Sequence, residues 1–223
     1  MAASQSLACP RLAVFGATGP TGICAVKRAL ELGHNVTAIV RSPEKLKDIQ
    51  NENLKVVKAN IFEPDSLVEH LSGQNAVMSY LGAHNTSALN PTTLYSESMK
   101  SIMTAMERAK VNRVVTITSW CTVKQPGNPK LMEWFLKPLF LNGFLKDMHL
   151  MENMLEESSF NYTVIRPPGL SNAKAKNNYK LAEGQYLDGV CWTISREDVA
   201  DASLKVLQTT DWDRKGLAIG CLK

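Results

Sequence analysis

The chain has 223 residues, of which 44% are hydrophobic and 21% charged, and its net charge is +4. This length fits one domain, and the composition excludes disordered and fibrous classes of protein. The Lys and Arg residues are scattered along the sequence. We therefore expect a solvated surface and no nucleic-acid partner.

The cysteines and histidines form no metal-ligand pattern. The five cysteines are odd in number and include no CxxC pair, and the four histidines lie far apart. This pattern favours free thiols in a reducing compartment, a cytoplasmic location and no metal site. Residues 1–10 lack the features of a signal peptide, and we expect a flexible tail there. The longest apolar stretch is too short to span a bilayer, so we expect no membrane partner.

Apolar runs alternate with helical periods along the chain, which predicts a parallel sheet covered on both faces. Right-handed crossovers make this a doubly wound α/β sheet, a Rossmann fold. We expect a single domain over residues 11–223 with a small C-terminal extension. Strands are predicted at 12–15, 36–40, 54–59, 76–81, 113–118, 162–166 and 217–220. Helices are predicted at 21–32, 43–49, 64–71, 90–109, 131–158 and 196–208. Asn90 is the predicted cap of the fourth, the fifth is predicted to be broken near Pro138 and Gly143, and residues 172–193 are predicted to be irregular.

The segment Phe-Gly-Ala-Thr-Gly-Pro-Thr-Gly at 15–22 lies between the first strand and the first helix. Gly16 allows a tight turn, Gly19 lets the backbone approach a pyrophosphate, and Gly22 lets the helix pack closely on the strand. The free N–H groups at the helix start would face the anion. The pattern predicts a dinucleotide phosphate loop made of Gly16, Thr18, Gly19, Pro20, Thr21 and Gly22.

The end of the second strand reads Ile39-Val40-Arg41-Ser42 and carries no acidic residue. Folds that prefer NAD place an acidic side chain there for the ribose hydroxyls. Arg41 would instead present a guanidinium to a 2′-phosphate, assisted by Lys45 in the next helix. This favours NADP as the cofactor; the alternative is that Arg41 is only a solvated strand-end residue.

These residues resemble the atypical short-chain dehydrogenase/reductase superfamily, and more closely its NADPH-dependent flavin reductase / biliverdin-IXβ reductase group. The resemblance covers nearly the whole chain. It rests on the glycine segment 15–22, Val40-Arg41, Leu81-Gly82, Asn90-Pro91-Thr92-Thr93 with Ser96-Glu97, Val114-Val115 with Thr118-Ser119, and Arg166-Pro167-Pro168.

The resemblance implies a set of cofactor contacts at the ends of the strands. Asn60, where the family usually has Asp, and Ile61 would flank the adenine. Leu81 and Gly82 would run past the middle of the cofactor. The nicotinamide would lie beside Ile117 and Ser119, and its far side would be closed by Pro168, Gly169 and Leu170.

Typical members of the superfamily use a Tyr-x-x-x-Lys pair on the helix after the fifth strand to pass a proton to an alcohol or carbonyl. Residues 131–158 contain no tyrosine, and the most similar pair at this spacing is His149 with Asn153. Alcohol and ketone chemistry is therefore disfavoured. Flavins such as FMN or FAD, and linear tetrapyrroles, can accept hydride and take their proton from solvent.

Ser119 is the candidate catalytic residue, because it could hydrogen-bond the carboxamide or the substrate; the alternative is that it satisfies a local backbone group. Trp120, Trp134 and Phe135 could form a platform for a planar substrate. They could equally belong to the core or to a dimer patch. Biliverdin-reducing relatives usually carry a histidine where this chain has Gly169, which predicts permissive flavin reduction and weaker biliverdin reduction.

The sequence thus predicts an NADPH-dependent oxidoreductase that transfers hydride to flavins or similar planar acceptors. The alternative is a non-catalytic NADP(H)-sensing regulatory protein of the NmrA-like type, since the missing Tyr/Lys pair fits both. A nucleotide-sugar epimerase is disfavoured because it needs that pair. We expect a small-molecule partner and a monomer or weak dimer.

Overall fold

The computed structural model describes residues 10–83 and 91–223. Most of the predicted tail 1–10 and the predicted helix cap Asn90 lie outside these residues. The described strands are β1 (Arg11–Phe15), β2 (Asn35–Val40), β3 (Leu54–Lys58), β4 (Ala76–Ser79), β5 (Arg113–Ile117), β6 (Asn161–Arg166), β7 (Gly169–Ser171), β8 (Tyr179–Glu183), β9 (Thr193–Ser195) and β10 (Lys215–Cys221). The described α-helices are α1 (Pro20–Glu31), α2 (Pro64–Leu71), α3 (Leu94–Ala109), α4 (Asn142–Glu157) and α5 (Arg196–Lys205).

The main sheet within residues 10–83 and 91–223 has eight strands in the order β3-β2-β1-β4-β5-β6-β10-β8. All neighbours are parallel except β10 and β8, which are antiparallel. The first six strands follow the order 3-2-1-4-5-6 of dinucleotide-binding sheets. The predicted doubly wound Rossmann fold is confirmed, and the C-terminal residues join its main sheet through β10.

The core lies on both faces of the sheet because successive side chains of each strand point to opposite sides. On one face, Leu12 and Val14 of β1 pack in a buried cluster with residues of α1 and α5. On the other face, Ala13 and Phe15 pack with residues of α2, α3 and α4. The strands are therefore continuous apolar runs, as expected of a sheet covered on both sides.

The segment predicted to be irregular, 172–193, contains a strand. Residues Tyr179–Glu183 form β8, which pairs antiparallel with β10 at the edge of the sheet. Tyr179 and Leu181 pack against one core cluster and Ala182 against another. The strand reads Tyr-Lys-Leu-Ala-Glu, and its Lys, Ala and Glu are residues depleted in strands, which explains why the prediction was wrong. A second, two-stranded parallel pair joins β7 to β9.

Three predicted helices also begin or run differently. The fourth begins at Leu94 and not at 90, and its first turn is capped by Asp147, whose carboxylate accepts the Tyr95 amide at 2.7 Å. The fifth, predicted to be broken near Pro138 and Gly143, is divided into a π-helical segment, Met132–Leu141, and α4, which begins at Asn142. Pro138 lies inside the π-helical segment, where its missing N–H prevents regular α-helical bonding. The predicted helix 43–49 is a 3-10 turn over Pro43–Leu46.

None of the helices in the described ranges is both long and apolar enough to cross a membrane.

Candidate cofactor and hydride-transfer site

The predicted site residues follow the carboxyl ends of neighbouring parallel strands. The phosphate loop follows β1, Leu81 and Gly82 come after β4, and Ser119 comes after β5. The topological switch point lies between β1 and β4, where the strand order reverses. Open α/β sheets bind ligands in the crevice outside this point, so the fold lines these segments along one edge of the sheet.

Two glycines of the phosphate loop are required by the loop itself. Gly16 has φ of +69°, and a Cβ there would lie 2.5 Å from the carbonyl carbon of Tyr80. A Cβ at Gly22 would lie 2.1 Å from the Gly16 carbonyl oxygen. The first glycine thus lets the loop turn against the end of β4, and the second lets α1 pack on the loop.

Gly19 differs from both. Its backbone is extended, with φ of −77° and ψ of 160°, and a Cβ there would lie 3.3 Å from the Gly16 oxygen and 4.0 Å from the Tyr80 oxygen. The surrounding residues therefore nearly admit a side chain. A glycine at this position leaves the backbone at the start of α1 without a side chain.

The start of α1 suits an anion. Pro20 occupies its first turn, and among the described residues no side chain caps the helix and no acidic residue lies in that turn. The first N–H groups, including those of Thr21 and Gly22, therefore keep their partial positive charge for a ligand. Together with the lack of a side chain at Gly19, this arrangement fits a pyrophosphate.

Arg41 and Lys45 lie beyond β2 and are both exposed. No carboxylate in the described part of the chain forms an ion pair with either of them. Two cationic side chains near the end of β2 make this corner suitable for a phosphate group.

The loop after β3 is held by Asn60. Its Oδ1 accepts the Phe62 amide at 3.2 Å, and its Nδ2 donates to Glu63 Oε1 at 2.7 Å. The amide side chain thus supports a turn, which leaves the neighbouring Ile61 half-buried and Phe62 49% exposed. Sequence reasoning did not single out Phe62, although an aromatic residue directly after a strand end was visible in the sequence.

The segment after β4 is held by a hydrogen bond at Ala83 and has no described neighbour above Gly82. The Ala83 amide donates to the hydroxyl oxygen of Tyr95 at 3.0 Å, and burial raises the pKa of this tyrosine. A Cβ at Gly82 would meet no described atom within 4 Å. Leu81 is half-buried beside it, so this segment lies next to the phosphate loop and borders space that no other described residue fills.

The ends of β5 and β6 remain paired beyond the strands. The Thr118 amide donates to the Ile165 carbonyl at 2.9 Å, and the Trp120 amide donates to the Pro167 carbonyl at 3.0 Å. Ser119 lies half-buried between these two bonds, next to the buried Ile117 of β5.

On the far side, the chain after β6 continues into β7. Pro168 is buried, Gly169 is exposed and Leu170 is half-buried. The Gly169 amide donates to the Trp192 carbonyl at 3.1 Å. The predicted nicotinamide wall is therefore held by the segment that leads into β9.

A buried ion pair lies beneath this end of the sheet. Arg166 Nη2 and Nε contact Glu152 Oε2 and Oε1 at 2.8 and 3.1 Å, and both side chains are almost fully buried. A Cβ at Gly216 would lie 2.1 Å from Arg166 Nη1. The neighbouring strand β10 therefore has a glycine where the guanidinium passes.

Hydroxyl groups complete the contacts of the Glu152 carboxylate. Thr118 donates to Oε1 at 2.6 Å, and Thr122 Oγ1 lies 2.8 Å from Oε2 and 2.9 Å from Gln185 Oε1. Because Thr118 and Thr122 enclose residues 119–121, the network fixes the backbone that carries Ser119. Sequence reasoning missed this network, since residues distant in the chain form it; only the Arg-Pro-Pro motif pointed to Arg166.

The structure separates the three aromatic residues predicted for the substrate platform. Trp120 is 1% exposed and donates its indole N–H to the Ile219 carbonyl at 3.1 Å, so its ring belongs to the core. Trp134 and Phe135 are 72% and 60% exposed. Met132 and Leu136 anchor their π-helical segment against the cluster around Trp120.

Two other polar candidates have ordinary surroundings. Cys121 is buried, and burial together with the nearby Glu133 raises the pKa of its thiol to about 11. It therefore stays protonated at neutral pH. His149 is half-buried, with Nε2 3.4 Å from Asn153 Nδ2 on the same helix.

Comparisons with known proteins match the chain to one family and to several relatives. A family model described as NAD(P)H-binding matches residues 16–210. An uncharacterized chloroplastic protein of Arabidopsis thaliana is 29% identical over 92% of this chain and 74% of its own. An oxidoreductase of Pestalotiopsis microspora is 26% identical, with 93% and 84% covered. The photosystem II assembly factor Ycf39 of Synechocystis is 24% identical over 71% of this chain, which spans 44% of that protein.

Solved structures share the fold. The oxidoreductase ylbE of Lactococcus lactis has a TM-score of 0.78 at 21% identity, with 96% of this chain and 91% of that chain covered. A short-chain dehydrogenase/reductase of Veillonella parvula in complex with NADP has a TM-score of 0.74 at 21% identity, with 95% and 94% covered. ChuY, an anaerobilin reductase of Escherichia coli O157:H7, has a TM-score of 0.75 at 16% identity, with 94% and 96% covered.

Proposed function

Because the chain belongs to the NAD(P)H-binding family, we propose that it is an NADPH-dependent oxidoreductase that transfers hydride to flavins, FMN or FAD, or to similar planar acceptors. The observation that carries this proposal is the start of α1, which among the described residues has no side-chain cap and no acidic residue in its first turn, and which lies directly at the switch point of the sheet. The family and the fold supply the cofactor class; the choice of NADP and of the acceptor is our proposal.

Each segment along the crevice has a proposed role in holding the cofactor. The phosphate loop, from Gly16 through Gly22, binds the pyrophosphate through its N–H groups. Arg41 and Lys45 bind the 2′-phosphate, which selects NADPH over NADH. Segments 60–61 and 81–82 flank the adenine and the middle of the cofactor. The nicotinamide ring lies between Ile117 and Ser119 on one side and residues 168–170 on the other.

Hydride transfer requires the protein mainly to position the cofactor and the acceptor. Bound NADPH would supply the hydride. Ser119 orients the carboxamide or the acceptor by a hydrogen bond, and its backbone is fixed by the Glu152 network below it. Residues 131–158 contain no tyrosine to donate a proton, so the acceptor takes its proton from solvent. This requirement favours an isoalloxazine ring.

The exposed rings of Trp134 and Phe135 form the proposed outer wall of the acceptor site. Their segment is anchored next to Trp120, one residue beyond Ser119. Flat apolar rings suit a planar acceptor. Gly169 supplies no polar side chain to orient a tetrapyrrole, which predicts permissive flavin reduction with a high KM and weaker biliverdin reduction.

The proposal is tested by following NADPH oxidation in the presence of FMN, FAD, quinones and biliverdin-IXβ, with NADH as the comparison cofactor. We expect turnover with FMN that exceeds turnover with biliverdin. Efficient biliverdin turnover with inert FMN would contradict the acceptor assignment. Gly19→Val serves as the control that removes cofactor binding, so that any remaining oxidation is not enzymatic.

A second candidate function is NADP(H) sensing without turnover, by a regulatory protein of the NmrA-like type. One observation favours it: Leu131, Trp134, Phe135, Leu139 and Phe140 expose large apolar side chains on one short segment, which a partner could cover. Ycf39, a relative described as an assembly factor, is in keeping with a non-enzymatic role. Tight NADP binding in calorimetry, together with no acceptor turnover, would support this alternative.

A cytoplasmic location and a monomeric or weakly dimeric state complete the proposal. The described cysteines are free thiols, which fits a reducing compartment. Sedimentation of the purified protein would test the oligomeric state.

A further inference from the structure

Cys191 and Cys221 lie opposite each other at the end of β10. Val190 and Leu222 form an antiparallel bridge, which brings the preceding and following residues into register. The Cys191 amide donates to the Cys221 carbonyl at 2.8 Å. Two cysteines far apart in the chain are therefore cross-strand neighbours.

The two backbones approach closely at this point. A Cβ at Gly220 would lie 2.3 Å from Val190 Cγ2, so the glycine is what allows the segments to pack together. Both thiols reach one carbonyl: Cys221 Sγ lies 3.5 Å and Cys191 Sγ 3.9 Å from the Leu222 oxygen. Burial raises the pKa of the Cys221 thiol, and a hydrogen bond with Cys191 adds to this rise.

The two thiols differ in their access to solvent. Cys221 is 3% exposed, whereas Cys191 is half-buried. A small oxidant can therefore reach Cys191 first, whereas Cys221 is buried next to it. This is the arrangement of an attacking thiol with a resolving thiol.

We propose that Cys191 and Cys221 are a redox modification site, at which a hydroperoxide such as hydrogen peroxide forms a reversible disulfide. The Cys191 sulfur attacks the peroxide, the O–O bond breaks, and Cys191 sulfenic acid and water are formed. The Cys221 sulfur then attacks the Cys191 sulfur, the S–O bond breaks, and the oxygen leaves as a second water with the thiol proton. Two thiols are oxidised by two electrons, and one peroxide is reduced to water.

The disulfide would act on the neighbouring strand pair. Cys191 directly precedes Trp192, whose carbonyl holds the Gly169 amide at 3.1 Å, and Gly169 pairs with Thr193 in the β7–β9 pair. A covalent link to β10 restrains this segment. Oxidation therefore stiffens the β7–β9 pair whatever the chain binds there, so the inference does not rest on the proposed function.

The test is peptide mapping after peroxide treatment and alkylation of remaining thiols. Trypsin cleaves after Lys180, Arg196 and Lys215, so the disulfide joins peptide 181–196 to peptide 216–223. We expect this linked pair to be the main oxidised product and to disappear on reduction with dithiothreitol. Cys191→Ser and Cys221→Ser should each abolish it, whereas Cys24→Ser, at another half-buried thiol, should not.

Amide hydrogen exchange provides a second measurement that does not depend on activity. We expect exchange at Gly169 to slow at least several-fold on oxidation and to recover on reduction. The inference is overturned if peroxide converts Cys191 to sulfinic acid without the linked peptide, if another cysteine pair dominates, or if exchange at Gly169 is the same in both redox states.

Discussion

Among the three glycines of the phosphate loop, Gly19 is the one at which the backbone has the least need for a glycine. A side chain at Gly16 or Gly22 collides with backbone atoms at 2.5 and 2.1 Å, whereas at Gly19 the nearest atom is 3.3 Å away. A Cβ at this distance requires the Gly16 carbonyl to shift by a few tenths of an ångström. A substitution at Gly19 therefore disturbs the fold less than one at Gly16 or Gly22, and its effect on ligand binding can be measured apart from its effect on folding.

For Gly19→Val we expect a thermal unfolding midpoint close to that of the wild type and loss of NADPH binding, because the branched side chain fills the pyrophosphate space. Calorimetric titration with NADPH measures the loss. Gly22→Ala is the matched control, and it should lower the unfolding midpoint because its Cβ meets the loop backbone. Unchanged NADPH affinity in the valine variant would refute the phosphate-loop assignment.

Arg41 tests the choice of cofactor. Arg41→Ala should weaken NADPH binding by about 1.5–3 kcal/mol, the usual contribution of a hydrogen bond to a charged group. NADH binding should be nearly unchanged, because NADH lacks the 2′-phosphate. Lys47→Ala, at another exposed cation nearby, should leave both affinities unchanged. Equal losses for the two cofactors would show that Arg41 supports the fold instead.

Sequence reasoning located residues whose role is local and missed those whose role depends on distant partners. The glycine loop could be predicted because its spacing, its strand and its helix are contiguous. The burial of Trp120 could not, because its indole partner, Ile219, belongs to the last strand of the sheet.

At the scale of elements, Glu152 joins α4 to the ends of β5 and β6. Glu152→Ala leaves the Arg166 guanidinium buried without its carboxylate, and removing one partner of a buried pair costs about 3–5 kcal/mol. Urea unfolding should show this loss, with Glu157→Ala, at an exposed site on the same helix, near the wild type. A loss below about 1 kcal/mol would mean that the pair contributes little to stability.

Asp201 joins α5 to α1 and β8 by accepting from Arg28 at 3.0 Å, Tyr179 at 2.8 Å and Lys205 at 2.7 Å. Burial alone would raise the pKa of this carboxyl, but these partners outweigh it and the pKa is lowered. A lowered folded-state pKa contributes stability that is present above the unfolded-state pKa of about 3.9 and is lost as the pH falls through the folded value.

The difference in unfolding free energy between the wild type and Asp201→Asn should therefore be constant above about pH 5 and shrink towards lower pH. Urea titrations at a series of pH values measure it, with Asp48→Asn as the exposed control. A difference that grows as the pH falls would contradict the assigned direction of the pKa shift.

Elements with strong periodic or β-branched patterns could be predicted, whereas β8 and the details of a broken helix could not. The edge strand β3 was predicted from Leu-Lys-Val-Val-Lys, whereas β8 reads Tyr-Lys-Leu-Ala-Glu, in which Lys, Ala and Glu are depleted in strands. The start of α3 was placed four residues early because its cap is supplied by Asp147 of α4 and not by the sequence before the helix. Apolar periodicity interrupted by Pro138 predicts a broken helix. It does not predict that the segment Met132–Leu141 forms π-helical hydrogen bonds.

For the molecule as a whole, the alternation of strands and helices was enough to predict the doubly wound sheet. Right-handed crossovers do not by themselves fix the order of the strands, so the order β3-β2-β1-β4-β5-β6 and the reversal between β1 and β4 come from the structure. The positions of β10 and β8 depend likewise on distant partners, since β10 pairs with β6 and β8 with β10. A binding crevice was predictable, because open α/β sheets bind ligands outside the carboxyl ends of their strands.

The central claim is that hydride passes from NADPH to a flavin in this crevice. Its most direct test is a single-turnover experiment without oxygen, in which the protein saturated with NADPH is mixed with FMN and the flavin absorbance is followed. We predict that FMN is bleached faster with the wild type than with protein-free NADPH, and that Gly19→Val falls to the protein-free rate. FMN that is reduced no faster than in the protein-free mixture, although calorimetry shows bound NADPH, would contradict the account and leave NADP(H) sensing as the function.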